Sequence, residues 1–190
     1  MTTAFIGLDY IVDITHPDGK MAGAAEQVID RDVIANANRA LAIAKEKGWL
    51  TVLVKVGFAK GYPDQPKHSK LFGKAHEYGV LEEGSPGMAF HPDLDAAKAD
   101  IVLTKPRVNA FYGTQLDPAL RARGVTRVVL AGVSTMMAVQ SAARDAHDRD
   151  YEVLILEEAC AAAETADHED SIRTLRTVTD VVTLDELAKL

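Results

Sequence analysis

Two charged residues of opposite sign come directly after apolar runs of the chain. Asp9 follows the run 4–8, and Lys105 follows the run 101–104. A carboxylate at the end of a buried strand is partly desolvated, which raises its pKa, and a nearby lysine opposes that shift. Such a pair can hold a proton-transfer group and stabilise a developing anion. The alternative is that both residues simply face solvent at strand ends, and their spacing alone does not decide between the two.

A second candidate site follows the apolar run 125–133. Residues 134–138 open a predicted helix, which Ser134 or Thr135 can cap, so the free N–H groups and the helix dipole favour an anion there. A cysteine in this first turn would have a lowered pKa and be a good nucleophile. The chain instead carries Met136, Met137 and Ala138.

Strand and helix patterns that alternate along the chain must position these residues. The predicted strands are residues 4–8, 50–56, 101–104, 125–133, 151–156 and 178–183, and the predicted helices are residues 30–47, 115–123, 135–148, 167–175 and 184–190. This alternation predicts βαβ units and a parallel sheet buried on both faces. Ligands of such sheets bind beyond the carboxyl ends of the strands, where Asp9, Lys105 and residues 134–138 are expected.

Four segments, in this order, resemble the isochorismatase-like hydrolases. They are AFIGLDYIVDI (4–14), LTKPRVNAFYGTQL (103–116), GVSTMMAVQSAARDA (132–146) and VLILEEACAAAE (153–164). The resemblance covers nearly the whole chain and is weakest over residues 57–95, which we expect to set specificity. It implies one domain over residues 1–190 with an α/β fold, a Rossmann-like three-layer αβα sandwich around a central, mostly parallel six-stranded sheet.

The resemblance also implies a catalytic site. Cysteine hydrolases of this family use an Asp, a Lys and a Cys against amides, and the matching positions are Asp9, Lys105 and Ala138, so the nucleophile is absent. The family's cis peptide, which shapes the oxyanion hole, would join Val133 and Ser134. Cys160 lies after a different predicted strand, where the family places a non-catalytic cysteine, and we expect it to be a buried structural residue.

True isochorismatases resemble this chain in lacking the cysteine, and they hydrolyse a vinyl ether with the aspartate as proton donor. Their lysine segment also has an arginine two residues further on and an Ala-Phe pair. By this resemblance Asp9 is the acid, with a pKa raised by burial, and Lys105 orients it and binds an anionic group. The candidates for binding a small, anionic organic substrate are Arg107, Phe111, Tyr112, Thr135 and Met137.

The amino-acid composition restricts the classes of partner that we expect for this protein. The net charge of -7 argues against a nucleic-acid surface. No stretch approaches the roughly 20 apolar residues of a membrane span, and a single cysteine suits a reducing cytoplasm. We therefore expect a cytoplasmic protein with a small-molecule substrate and no nucleic-acid or membrane partner. Since the family often forms oligomers, the resemblance implies a homo-oligomer, a dimer or a tetramer.

The histidines show no metal-site spacing. His68 and His76 are eight residues apart, and His16 and His91 stand separately, unlike the DxDxH-like cluster of the family's metal-dependent nicotinamidases. We therefore expect no metal.

Two further patterns concern cofactors and the protein surface. Gly132 stands alone after its strand without a GxG phosphate loop, so we expect no dinucleotide cofactor. His147 and His168 lie among charged residues of predicted helices, and we expect both at the surface.

Three interpretations of the missing cysteine are open. In the first, the chain is an enzyme that acts by Asp9 acid/base chemistry. In the second, it is a non-catalytic ligand-binding or scaffold protein that kept the fold and lost the nucleophile. In the third, it is an amidase whose cysteine has been replaced by alanine at position 138, because one substitution would produce this sequence.

Overall fold

A computed structural model describes all residues from 1 to 190 and contains one sheet of six strands. The strands are β1 (Thr3–Leu8), β2 (Leu50–Val56), β3 (Ile101–Lys105), β4 (Arg127–Val133), β5 (Glu152–Ala161) and β6 (Asp180–Val182). They lie in the order β3-β2-β1-β4-β5-β6, and every neighbouring pair is parallel. The predicted α/β class with a parallel six-stranded sheet is confirmed.

The helices are α1 (Val12–Thr15), α2 (Ala25–Asp30), α3 (Val33–Glu46), α4 (Ala75–Tyr78), α5 (Leu116–Ala122), α6 (Gln140–Asp148), α7 (Thr165–Leu175) and α8 (Leu184–Lys189). The chain winds outward from β1 to β3 and then, in the opposite direction, from β4 to β6. Right-handed crossovers therefore place the connecting helices of the two halves on opposite faces of the sheet, whereas the last helix, α8, packs against α3. None of these helices combines the length and the apolar character needed to span a membrane.

The central strands are apolar throughout because helices cover both faces of the sheet. All six residues of β1 are buried, as are six of the seven residues of β4. Helix α3 packs against β1, β2 and β5. Its buried stripe contains the residues that the periodicity predicts: Val33, Ile34, Ala37, Leu41 and Ala44.

Two predicted boundaries are wrong by more than two residues, and a third element differs in the type of its first turn. The helix predicted over 30–47 begins at Val33, because Asp32 adopts a left-handed conformation (φ 52°) that separates α2 from α3. The strand predicted over 151–156 continues to Ala161, because after a shift of register Cys160 pairs with Gly132 of β4. Cys160 therefore lies within β5 and not after a strand. The helix predicted over 135–148 begins as a wide π-helical turn over Thr135–Val139, after which α6 starts.

The order of the strands reverses between β1 and β4, which lie side by side at the centre of the sheet. In open α/β sheets such a reversal leaves a crevice at the carboxyl ends of the strands, because the following connections diverge to opposite faces. Asp9 follows β1 and Ser134 follows β4 at this point. The fold thus brings two of the predicted segments to one crevice.

Candidate active site

Asp9 and Lys105 form a buried ion pair across the end of β2. Lys105 is the last residue of β3 and pairs in register with Val56, the last residue of β2. Asp9 follows β1 in a left-handed conformation (φ 57°), which aspartate tolerates better than most residues. Its Oδ1 accepts the N–H of Val56 at 2.6 Å, and its Oδ2 lies 2.7 Å from Lys105 Nζ. One carboxylate therefore contacts the ends of β2 and β3.

Burial raises the pKa of Asp9 in this pair. Both side chains are almost completely buried. Desolvation raises the pKa of Asp9 above its ordinary value, although the charge of Lys105 and the hydrogen bonds from Lys105 and Val56 oppose the rise. Lys105 Nζ also donates to the carbonyl of Val108 at 2.6 Å, so two of its three N–H groups have protein acceptors. Burial therefore favours the protonated form of Asp9 more than it would in an exposed aspartate.

The turn after β4 forms the opposite wall. The peptide bond between Val133 and Ser134 is cis, at the position that the resemblance implies. Ser134 caps the π-helical turn, and its hydroxyl accepts the N–H of Met137 at 3.3 Å. The N–H groups of Thr135 and Met136 have no acceptor within the protein.

A cavity of about 210 Å³ joins the ion pair to this turn. Six of the predicted site residues line it together: Asp9, Lys105, Val133, Ser134, Met137 and Ala138. Fourteen of its nineteen lining residues are hydrophobic, so a bound molecule would exchange water for an apolar surface. Ala138 contributes a methyl group at the position where the resemblance implies a nucleophile.

The other predicted substrate-binding residues lie outside this cavity. Arg107 and Tyr112 line a neighbouring cleft, and Arg107 donates to the carbonyls of Pro106 and Asp64. Phe111 is buried in the core and stacks on Tyr151, with ring centroids 6.2 Å apart, because the chain after Lys105 turns back toward the sheet. The prediction that Phe111 binds substrate is therefore not supported by its position.

Thr135 faces away from the cavity, toward a histidine that was expected at the surface. His168 is 1% exposed, and its Nδ1 lies 2.8 Å from the Thr135 hydroxyl. The expectation of a surface position for His168 is wrong, because the ring packs between the turn after β4 and Glu157 of β5. His147, in contrast, is exposed as expected. The prediction that the Thr135 side chain contacts substrate is likewise not supported.

Several cavity residues were missed from the sequence. Leu71 and Leu81 come from the irregular stretch 57–95, and Asp167 comes from the first turn of α7. The apolar residues carry no signal in a stretch without periodicity, and an acidic residue in a first helical turn is usual. The buried carboxylate of Asp13 was also missed, but it accepts the N–H of Leu81 at 3.2 Å and does not line the cavity.

Cys160 lies apart from the cavity. Its thiol is fully buried and directed at the Leu156 carbonyl, 3.3 Å away. Burial raises the pKa of Cys160 to about 12, so its thiolate is scarcely populated at neutral pH. The thiol therefore has the surroundings of a structural residue.

No group of three or more His, Cys, Asp or Glu side chains is arranged to hold a metal ion. The rings of His16 and His91 lie 5.2 Å apart, but each faces an aspartate of its own segment, Asp18 and Asp93 respectively.

The parallel sheet, with an acid–lysine pair opening into a small apolar cavity at its carboxyl edge, defines an α/β protein with a candidate ligand site. The Isochorismatase domain model matches residues 3–186. The chain therefore belongs to the isochorismatase family, and the predicted class of hydrolase is confirmed by its relatives.

Two relatives and one solved structure illustrate the match. The isochorismatase family protein YecD of Escherichia coli O157:H7 is 34% identical over 175 residues, which cover 90% of this chain and 86% of that protein. Ureidoacrylate amidohydrolase RutB of Methylobacterium radiotolerans is 34% identical over 172 residues, which cover 83% of this chain and 66% of that enzyme. The crystal structure of an isochorismatase family protein from Desulfovibrio vulgaris has a TM-score of 0.86 at 27% identity, covering 99% of this chain and 97% of that one.

Proposed function

We propose that this chain hydrolyses a small organic molecule held in the cavity, with Asp9 as the acid/base and Lys105 as the group that orients it, and without covalent cysteine catalysis. The observation that supports this most directly is the buried Asp9–Lys105 pair, which opens into a cavity where position 138 presents only a methyl group. An alanine cannot form a covalent intermediate, so the chemistry falls to the acid–base pair.

The proposed chemistry begins with protonated Asp9. Asp9 transfers its proton to the substrate, to a vinyl carbon or to a leaving atom, and the resulting carboxylate is stabilised by the Val56 N–H and by Lys105 Nζ. A water molecule then adds to the electron-poor substrate carbon and returns a proton to Asp9. The bond from that carbon to the leaving oxygen or nitrogen then breaks, and the leaving group departs as an alcohol or amine, taking up the proton of the new hydroxyl group where Asp9 has not already protonated it. Burial raises the pKa of Asp9 and so favours the protonated form with which the proposed reaction begins.

An anionic substrate group, which the sequence predicts, would meet limited positive charge. Lys105 has one N–H without a protein acceptor, and its charge faces Asp9. Arg107 lies in the neighbouring cleft. The orienting role of Lys105 is thus better supported by its contacts than its role in binding an anion.

Turnover by two aspartate variants tests the proposal. Asp9→Asn keeps the size of the side chain and removes the titrating group, so it should abolish turnover of any substrate found in a panel of vinyl ethers and small amides. Asp13→Asn is the matched control, because Asp13 is an equally buried carboxylate outside the cavity. Activity retained by a folded Asp9→Asn protein would refute the role of Asp9.

The similarity to RutB favours a second candidate, a C–N hydrolase site of amidase type in which alanine replaces the nucleophile at position 138, so that this chain would bind an amide without hydrolysing it by covalent catalysis. Ala138 lies in the cavity wall beside the turn with free N–H groups, where such a nucleophile would be needed. Val133 and Ser134 would then shape an oxyanion hole.

We further propose that the chain forms one cytoplasmic domain and assembles as a dimer or tetramer. Size-exclusion chromatography with light scattering tests the oligomeric state.

A further inference from the structure

The cavity holds very little positive charge. Its charged lining residues are Asp9, Lys105 and Asp167, so Lys105 is the only cation. Asp9 Oδ2 and the Val108 carbonyl already occupy two of its N–H groups, at 2.7 and 2.6 Å. Only one N–H group of the cavity's single cation is therefore left for a ligand.

Asp167 adds a carboxylate without a partner. It is half-buried in the first turn of α7, and its carboxylate makes no hydrogen bond or ion pair within the protein, whereas its backbone carbonyl accepts from Ser171. The cavity consequently carries one net negative charge when Asp9 is ionised and none when Asp9 is protonated. In neither state is it positive.

Arg107 and Arg31 do not line the cavity. Arg107 lines the adjoining cleft, and Arg31 donates to the Cys160 carbonyl at 3.2 Å. A carboxylate group that entered the cavity would lose its hydration and meet the negative charge of Asp167, and only the third N–H group of Lys105 and the backbone N–H groups of the turn after β4 could compensate it. A neutral molecule would bury apolar surface against the hydrophobic lining without this penalty.

We propose that the cavity selects uncharged, largely apolar substrates and that Asp167 excludes anions from it. The free carboxylate of Asp167 is a hydrogen-bond acceptor, so the preferred ligands are small neutral molecules that also carry an N–H donor, as primary amides do. The word substrate rests on the proposed hydrolase function, whereas the selection itself is a property of binding.

Binding of two matched amides tests this selection. Hexanamide and succinamate have the same number of non-hydrogen atoms and a primary amide each, but only succinamate carries a carboxylate. Titration of the full chain at neutral pH, followed by NMR, should show that hexanamide binds at least about tenfold more tightly than succinamate. Equal or tighter binding of succinamate, or no binding of hexanamide, would overturn the proposal.

Two variants of α7 assign the effect. Asp167→Asn keeps the shape of the side chain and removes its charge, so the preference for hexanamide should fall by about tenfold. Glu169→Gln is the control, because Glu169 is exposed on the same helix and does not line the cavity; its preference should equal that of the unmodified chain. An unchanged preference in Asp167→Asn would refute the role of Asp167.

The outcomes separate this inference from the proposed function. Selective binding of hexanamide with no hydrolysis of any compound would refute the function and support the selection. Rapid hydrolysis of an anionic substrate by the unmodified chain would refute the selection and support the function.

Discussion

The hydroxyl of Thr135 lies 2.8 Å from Nδ1 of His168, and both side chains are buried. On the other side of the ring, Nε2 lies 3.6 Å from Oε1 of Glu157. A carboxylate facing Nε2 favours the tautomer with its proton there, so Nδ1 accepts the Thr135 hydroxyl. His168 thereby connects the first residue of the π-helical turn, which begins the wall of the cavity, to β5.

This connection predicts a stability loss in His168→Ala. The substitution leaves the buried Thr135 hydroxyl without its acceptor, which should lower the free energy of unfolding by about 1–3 kcal/mol. Urea denaturation at neutral pH measures the change. His147→Ala is the control, because His147 is exposed, and it should change stability by less than about 0.5 kcal/mol. Equal losses in the two variants would contradict a structural role for His168.

The same histidine should make stability depend on pH. Burial lowers the pKa of His168 below 6.5, with a further contribution from Arg31, whereas Glu157 and Glu169 oppose the shift. Protonation therefore favours the unfolded chain, and the stability contributed by neutral His168 should decline as the pH falls below about 6.5. Denaturation over this range should show a shallower decline in His168→Gln than in the unmodified chain.

Asp9 should make activity fall as the pH rises, whereas His168 makes stability fall as the pH decreases. Burial raises its pKa above 3.8, and only protonated Asp9 can act as an acid, so kcat/KM should fall as the pH rises through that raised value. Lys105→Met removes the opposing positive charge and should move the titration of Asp9 to higher pH. Carbon-13 NMR of the Asp9 carboxyl measures the shift independently of turnover. An activity that instead rises through this pKa would assign Asp9 as a base.

The placement of the ion pair could be predicted because parallel strands share one carboxyl edge. Asp9 and Lys105 each follow an apolar run, and that is enough to bring them to the same edge. The sequence could not show that β2 lies between their strands, nor that one carboxylate oxygen accepts the Val56 N–H. Those details depend on strand order and on the left-handed conformation of Asp9.

The errors arose where sequence neighbourhood misrepresents spatial neighbourhood. Phe111 is close to Lys105 along the chain, yet it stacks on Tyr151 in the core. His168 is surrounded in sequence by acidic residues that favour exposure, while its partner Thr135 is 33 residues away. A side chain on the single buried stripe of a polar helix looks exposed until the element against which it packs is known.

The free N–H groups of Thr135 and Met136 predict a gain of function at position 138. Ala138→Cys would place a thiol in the cavity wall beside this turn, so we expect hydrolysis of a bound amide to increase by at least about 100-fold, the lower end of what a positioned acid–base group contributes. Mass spectrometry should detect an acylated protein. Ala163→Cys is the control, because Ala163 lines the same cavity but comes from the segment after β5 and not from the turn after β4. No gain with an amide that binds would argue against an amidase-type site.

The close contact between Gly132 of β4 and Leu8 of β1 should hold Asp9 in position. Its φ of 152° is rare for other residues, and a Cβ there would meet the Leu8 carbonyl and lie 2.6 Å from Leu8 Cβ. Because Leu8 precedes Asp9, Gly132→Ala should displace the carboxylate as well as lower the free energy of unfolding, by about 1–3 kcal/mol.

The free energy of unfolding, measured by urea denaturation, and the turnover should therefore both fall in Gly132→Ala. Gly124→Ala separates the backbone preference from the clash, because Gly124 also has a positive φ (62°) but no atom within 4 Å of the added Cβ. That control should lose about 1–2 kcal/mol and keep its turnover. If Gly132→Ala lost stability and yet kept full turnover, the contact between Gly132 and Leu8 would hold the sheet together without positioning Asp9.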